Sequence, residues 1–239
     1  MNELLLILSL IIIFGAVLLG YYLFGRSGLY CVSAVATVFA NIEVLILIKA
    51  FGMEQTLGNV LFAATFLTTD ILSECEGKRE ANKAVVIGVF AQIFFLVLSQ
   101  SWLLYKPSEQ DTAMGAISQI VSSTPRMILA SLSVYVVSQF FDVWLYHAWW
   151  KFTEKKTGDR RRFLWLRNNG STLVSQIINT FLFTVIAFAG TYDFKTLMSI
   201  FGSSYVIYIF TSLLDTPVVY LARMMHDRKI KKLSLPKAE

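Results

Sequence analysis

The sequence predicts an all-α polytopic membrane protein, and three observations support this prediction. Hydrophobic residues make up 56% of the 239 residues and charged residues only 15%, well below the about 25% of a soluble domain. The apolar residues form runs of about 20 residues, the length that an α-helix needs to cross a bilayer. Most lysines and arginines lie between these runs. A single transmembrane domain, residues 1–239 with a basic tail at 223–239, leaves no room for a soluble catalytic domain.

Seven spans are predicted, in chain order at residues 4–24, 29–50, 57–73, 83–105, 127–150, 171–190 and 198–222. The first span has no charged residue. It also lacks the basic start and small-residue cleavage site of a signal peptide, so we expect a retained helix. The third span is the shortest. Between the fourth and fifth spans, residues 113–123 are expected to form either a short interfacial helix or a plain connector.

The distribution of basic residues predicts the orientation. With seven spans, 17 of the 21 lysines and arginines fall on one side, at residue 26 and within 78–83, 151–167 and 223–237. Cytoplasmic loops carry such an excess of positive charge. We therefore expect a multi-pass protein of the cell membrane with a cytoplasmic C-terminus and an N-terminus outside.

Metal binding, cofactor binding and catalysis are not expected. The chain has two cysteines and two histidines with no metal-site spacing: Cys31, Cys75, His147 and His226. Residues 76–79 superficially resemble a phosphate-binding loop. Leu72 and Arg79, however, occupy the positions at which that motif requires glycine and a hydroxyl residue. The sequence therefore predicts neither a metal, nor a cofactor, nor an enzyme.

Two predicted spans share a polar motif. Residues 138–142 and 175–179 both read Ser-Gln, two apolar residues, then an acid or an amide. Residues three and four apart lie on one face of a helix, and a charge in the bilayer costs about 2.5–3.5 kcal/mol on insertion scales. We therefore expect both motifs to face the inside of the bundle.

These motifs belong to a polar layer that we predict to bind a substrate. Amides and carboxylates in such a layer suit a neutral or cationic polar ligand. The alternative is a purely structural set of interhelical hydrogen bonds, worth about 0.6 kcal/mol each. Arg126 is expected at the outer mouth, where it would close the site. The candidate substrate-binding residues are Asn41, Asp70, Arg126, Gln139, Asp142, Gln176, Asn179 and Asp215.

Three longer segments resemble one protein family. They are Thr69–Glu74 followed by Gly77-Lys78, residues 126–143, and Leu164–Asn169 followed by Ser171-Thr172 and Ser175-Gln176. Together they resemble the VUT family, the YhhQ type of queuosine precursor transporter, and the likeness extends from about Asn41 to Asp215.

The resemblance implies bacterial inner-membrane uptake of a 7-deazaguanine for tRNA modification: preQ0, preQ1, queuine or the nucleoside queuosine. It also suggests a six-helix core like the substrate-binding subunits of energy-coupling-factor transporters, with one extra N-terminal helix. Two residues depart from the family pattern. Glu76 replaces a tyrosine, and Asn179 replaces the aspartate of an Asp-Thr pair.

Two other functions stay open at this point. One is a substrate-capture subunit that needs an external ATPase, and the other is a membrane scaffold that transports nothing. The expected partners are the small-molecule ligand and the lipid bilayer, with a homodimer left open and no direct contact with nucleic acid.

Overall fold

The computed structural model describes the backbone of residues 1–122, 124–188, 190 and 193–234, and the side chains of these residues except 54, 124–127 and 232–234. The described chain is almost entirely helical, which confirms the predicted class. Its elements are α1 (Asn2–Phe24), α2 (Arg26–Glu43), β1 (Leu47–Ala50), β2 (Met53–Thr56), α3 (Gly58–Cys75), α4 (Lys78–Trp102), α5 (Met114–Ser122), α6 (Thr124–Thr157), α7 (Leu164–Phe188) and α8 (Phe194–Ser234).

The seven long helices alternate in direction, which gives the bundle two distinct ends. The hairpin end carries β1 and β2, and there the Asn2 side-chain amide donates to the carbonyl of Lys49 at 2.8 Å. The basic end carries most of the lysines and arginines, and there the Tyr21 hydroxyl bonds Nδ1 of His226 at 2.8 Å. The first residue of α1 and the last turns of α8 therefore lie at opposite ends.

Within the described residues, five helices are long and apolar enough to cross a membrane: Asn2–Phe24, Lys78–Trp102, Ile128–Thr157, Leu164–Phe188 and Phe194–Lys231. The other two, α2 and α3, have 18 residues each, or about 27 Å at the rise of an α-helix. Helix α3 is central, because 14 of its 18 residues are buried. The count of seven crossings stays a prediction.

The second predicted span is wrong in its last third. Helix α2 ends at Glu43, and residues 47–56 form an antiparallel β-hairpin in which Ala50 pairs with Met53. The two turn residues, Phe51 and Gly52, both have positive φ, at 52° and 74°. A two-residue turn of that kind matches the twist of paired strands, so the chain reverses where the apolar pattern predicted a continuing helix.

Other helix boundaries also differ from the predicted spans. Helix α7 begins at Leu164, seven residues before the predicted start of the sixth span. Of the two alternatives for residues 113–123, the structure has a helix, α5, while Ser123 lies outside the described residues. Helices α6 and α8 continue past the predicted ends of their spans at the basic end.

The bundle is apolar outside and polar inside. Large apolar side chains such as Leu4, Phe90 and Phe210 expose 62–71% of their surface, as expected for residues that face lipid. Hydroxyl, amide and carboxyl side chains of α3, α6, α7 and α8 are buried instead. Polar groups therefore follow the central axis of the bundle.

Candidate functional site

A cleft with a cavity volume of about 50 Å³ opens among the helices at the hairpin end. Helices α2, α3, α6, α7 and α8 all contribute to its walls. Aromatic rings of Phe62, Phe183 and Phe188 lie beside the polar side chains of Asn59 and Asn179. The described lining contains no acidic or basic residue. The complete lining is Ala40, Val44, Thr56, Gly58, Asn59, Phe62, Ser131, Val134, Asn179, Thr180, Phe183, Thr184, Phe188, Ile200, Ser204 and Tyr208.

Asn59 is the most highly connected polar residue of the cleft. Its Oδ1 accepts from the Tyr208 hydroxyl at 3.1 Å and from the Thr56 hydroxyl at 3.3 Å. Its Nδ2 donates to the Ser204 hydroxyl at 3.5 Å. Because these partners come from the end of the β-hairpin and from α8, a change at Asn59 would affect three parts of the cleft together.

An amide layer lies below the cleft, toward the middle of the bundle. Nδ2 of Asn179 donates to Oε1 of Gln176 at 3.0 Å, and the Ser138 hydroxyl donates to Oδ1 of Asn179 at 3.4 Å. The two Ser-Gln motifs are therefore neighbours. The Gln139 amide bonds α3 instead of α7: it donates to Thr65 at 2.7 Å and accepts from Thr69 at 3.1 Å.

A carboxylate cluster, Asp70, Asp142 and Asp215, occupies the next level. Oδ2 of Asp70 accepts from the Thr172 hydroxyl at 3.0 Å. Oδ1 of Asp215 accepts from the side-chain amide of Asn168 at 2.7 Å. The Asp142 carboxyl faces Asp70 together with Ser171 and Ser175. Three helices thus place their acids in one buried region.

A network of ion pairs closes the axis at the basic end. Arg167 donates to Glu74 through Nη2 at 2.6 Å and through Nε at 2.8 Å. Arg223 approaches the same carboxylate at 2.9 Å, and the Tyr146 hydroxyl donates to it at 2.8 Å. The Arg167 guanidinium also lies 4.4 Å from the Trp150 ring centroid. Four helices meet at one buried carboxylate.

The structure brings together most of the predicted residues. Gln139, Asp142, Gln176, Asn179, Asp70 and Asp215 lie in the two layers just described, although only Asn179 lines the cleft. Asn41 is buried but donates to the carbonyl of Thr37 in its own helix. The side chain of Arg126 lies outside the described residues.

Sequence reasoning missed the residues at both ends of the axis. Asn59 lies at the start of α3, and Glu74 lies one turn after Asp70 on the same helix. Glu74 and Arg167 lie just outside the predicted third and sixth spans. Their opposite charges were an available signal, because a buried arginine requires an acidic partner.

A bundle of membrane-length helices with a polar axis and a cleft at one end is typical of membrane transport proteins. Residues 56–222 match the family described as putative vitamin uptake transporter, the VUT family, and the chain belongs to it. A probable queuosine precursor transporter of Bacillus subtilis (strain 168) is 40% identical over 215 residues, which are 90% of this chain and 92% of that protein. No solved structure matches the chain.

Proposed function

We propose that this protein imports a 7-deazaguanine precursor of queuosine, as a base or nucleoside, and that the substrate first binds in the cleft at the hairpin end. The observation that carries the proposal is the cleft itself, with its aromatic walls, its convergent amides and its connection to the polar axis. The name of the Bacillus subtilis relative supports the class of substrate.

The cleft has the properties of a site for a flat heterocycle. Ligand pockets are typically largely apolar and lined by a few polar groups that set orientation. Phe62 and Phe183 provide ring surfaces, which stack on planar ligands. Asn59 and Asn179 carry both donors and acceptors, as the edge of a guanine-like ring requires.

The charge of the cleft favours a neutral precursor. Because position 179 is an asparagine and not the usual family aspartate, the described lining has no carboxylate to pair with an amine. A cationic ligand would lose its hydration in the cleft without gaining an ion pair. We therefore expect preQ0, which is neutral, to bind more tightly than the amine preQ1.

The hairpin end would face the outside. Most lysines and arginines lie at the opposite end, and the cytoplasmic side carries this excess of positive charge. Substrate would then enter the cleft from outside, pass along the amide layer and leave past the Glu74 network.

Uptake by cells that cannot synthesise queuosine tests this function, with queuosine in tRNA as the measured product. Cells expressing the protein should regain the modification when supplied with a precursor, and purified protein should bind that precursor. Activity of the purified protein alone in lipid vesicles would separate a stand-alone carrier from a subunit that needs an ATPase. No binding and no modification with any of the four precursors would contradict the proposal.

A further inference from the structure

The three carboxylates at the centre of the bundle have no cationic partner. Asp70 and Asp142 are completely buried, and Asp215 exposes 2% of its surface. Among the described side chains, no lysine, arginine or histidine forms an ion pair with any of them. Arg167 and Arg223 lie at the basic end of the axis, and both pair with Glu74. Since buried unpaired charges are costly, the cluster needs protons or another cation.

Several buried atoms around the cluster lack a donor. Both oxygens of Asp142, Oδ1 of Asp70 and Oδ1 of Asn168 have no hydrogen-bond partner among the described residues. The Ser175 hydroxyl, also completely buried and unpartnered, faces Asp142. Ionised carboxylates and amide oxygens are acceptors only. Even with the Ser175 hydroxyl as a donor, the four unpartnered oxygens leave the cluster with more acceptors than donors, and a proton on a carboxyl group would supply a further donor.

A proton fits the cluster better than a metal ion does. Among the described residues, no three histidine, cysteine, aspartate or glutamate side chains are placed to hold one metal ion. A proton needs only one carboxylate oxygen. Asp70 and Asp142 face one another, and two adjacent carboxylates hold a proton between them because like charges repel.

We propose that this carboxylate cluster takes up and releases one proton in each transport cycle, so that a proton gradient drives uptake. In the step, a hydronium ion at the hairpin end gives a proton to a carboxylate oxygen of Asp70 or Asp142 and is left as water. The carboxyl group later gives a proton to water at the basic end, which becomes hydronium, so that one O–H bond forms and one breaks at each transfer. The inference rests on the proposed function, because a cycle requires a transported substrate.

Hydrogen-bonded side chains lie on both sides of the cluster along the axis. Toward the cleft, Thr69 bonds Gln139, and the Ser138 hydroxyl next to it reaches Asn179. Toward the basic end, Asn168 bonds Asp215, while Asn169 bonds Thr216 at 2.7 Å.

The charged and titratable groups that face the cluster are few. Asp70 interacts with Asp142, Asp215 and Tyr146, and Asp142 also interacts with Asp215. Glu74, one turn from Asp70, is occupied by its two arginines. Titration of the cluster therefore changes the charge at the middle of the axis without breaking an ion pair.

The test uses the purified full-length protein in lipid vesicles with radiolabelled preQ0 and a pH-sensitive dye inside. With acid outside, one proton per substrate gives about tenfold accumulation for one pH unit, since one unit is a factor of ten in proton activity. Adding preQ0 without a gradient should acidify the interior of vesicles that hold the wild-type protein.

The Asp142→Asn and Asp70→Asn variants should lose gradient-driven accumulation, so that the inside-to-outside ratio falls to roughly one. Asp227→Asn is the matched control, because Asp227 lies on α8 like Asp215 but exposes 42% of its side chain; this variant should accumulate preQ0 as the wild type does. If either cluster variant fails to fold, the other variant and the dye measurement on the wild type still test proton coupling.

Wild-type uptake that is unaffected by the gradient and causes no acidification would overturn proton coupling and leave the transport function intact. Absence of binding and uptake for every precursor would overturn the proposed function, and the coupling with it.

Discussion

Arg167 and Glu74 form a bidentate ion pair in which both side chains are buried, at 0% and 1% exposure. The guanidinium fork matches the two carboxylate oxygens at 2.6 and 2.8 Å, the geometry that makes such pairs strong. Arg223 also approaches the carboxylate, so one negative charge forms ion pairs with two positive charges. Loss of Glu74 would leave buried positive charge without a partner.

The first prediction concerns this pair. Glu74→Gln should lower stability by about 3–5 kcal/mol, the usual cost of removing one member of a buried ion pair. Thermal unfolding of the purified protein in detergent is the measurement. Glu154→Gln is the control, because its pair with Arg160 at 3.2 Å is exposed and should contribute less than about 1 kcal/mol. Equal effects of the two substitutions would contradict a special role for Glu74.

The second prediction tests the cleft. Tyr208→Phe removes the hydroxyl that donates to Asn59, and the affinity for preQ0 should fall by about 0.5–1.5 kcal/mol. Tyr205→Phe is the matched control on the same helix, because its hydroxyl reaches only the carbonyl of Leu173, at 3.4 Å, outside the cleft. Calorimetric binding to purified protein measures both. An unchanged affinity in Tyr208→Phe would place the substrate away from Asn59.

The helical fold class and the inward-facing polar motifs could be predicted from the local sequence pattern, but the β-hairpin could not. Residues 45–50 are apolar except for Lys49, and an apolar run of that length fits a helix or a strand equally well. The hairpin forms around two turn residues with positive φ, Phe51 and Gly52. Glycine adopts such angles readily, but the positive φ of Phe51 could not be predicted from hydropathy.

The cleft could not be predicted because its residues are distant along the chain. Asn59 and Tyr208 are 149 positions apart and meet only through the packing of α3 against α8. By contrast, the two Ser-Gln motifs lie on consecutive spans of opposite direction, and consecutive elements usually pack as neighbours.

The third prediction concerns the support of Asn179. Gln176→Ala removes the oxygen that accepts from Nδ2 of Asn179 at 3.0 Å and leaves that amide unsatisfied. Precursor binding should weaken by about 1–3 kcal/mol. Gln92→Ala, which removes another buried amide on α4, should leave binding unchanged. Equal losses in both variants would indicate a general packing defect.

The fourth prediction concerns specificity. Asn179→Asp restores the residue that the family usually has and introduces a carboxylate into the wall of the cleft. The ratio of preQ1 affinity to preQ0 affinity should rise by about tenfold or more, since one ion pair to a partly desolvated amine contributes about 1.5–3 kcal/mol. Competition binding with both precursors measures this ratio. A parallel change for both precursors would show that position 179 does not sense their charge.

The fifth prediction is the topology, because the direction of import depends on it. Seven alternating helices put Gln110, in the connection before α5, at the hairpin end and Lys156, near the end of α6, at the basic end. Both residues are exposed. In a background in which Cys31 and Cys75 are replaced by alanine, Gln110→Cys should react with an impermeant thiol reagent added outside intact cells. Lys156→Cys should react only after the membrane is opened.

Lys156 is preferable to the nearby Gly158, whose φ of 70° disfavours any side chain. The excess of basic residues at the end that holds Lys156 is the physical reason for this orientation. Labelling of both positions from outside would mean an even number of crossings between them. The basic end would then no longer be cytoplasmic as a whole, and the proposed entry of substrate through the cleft would lose its support.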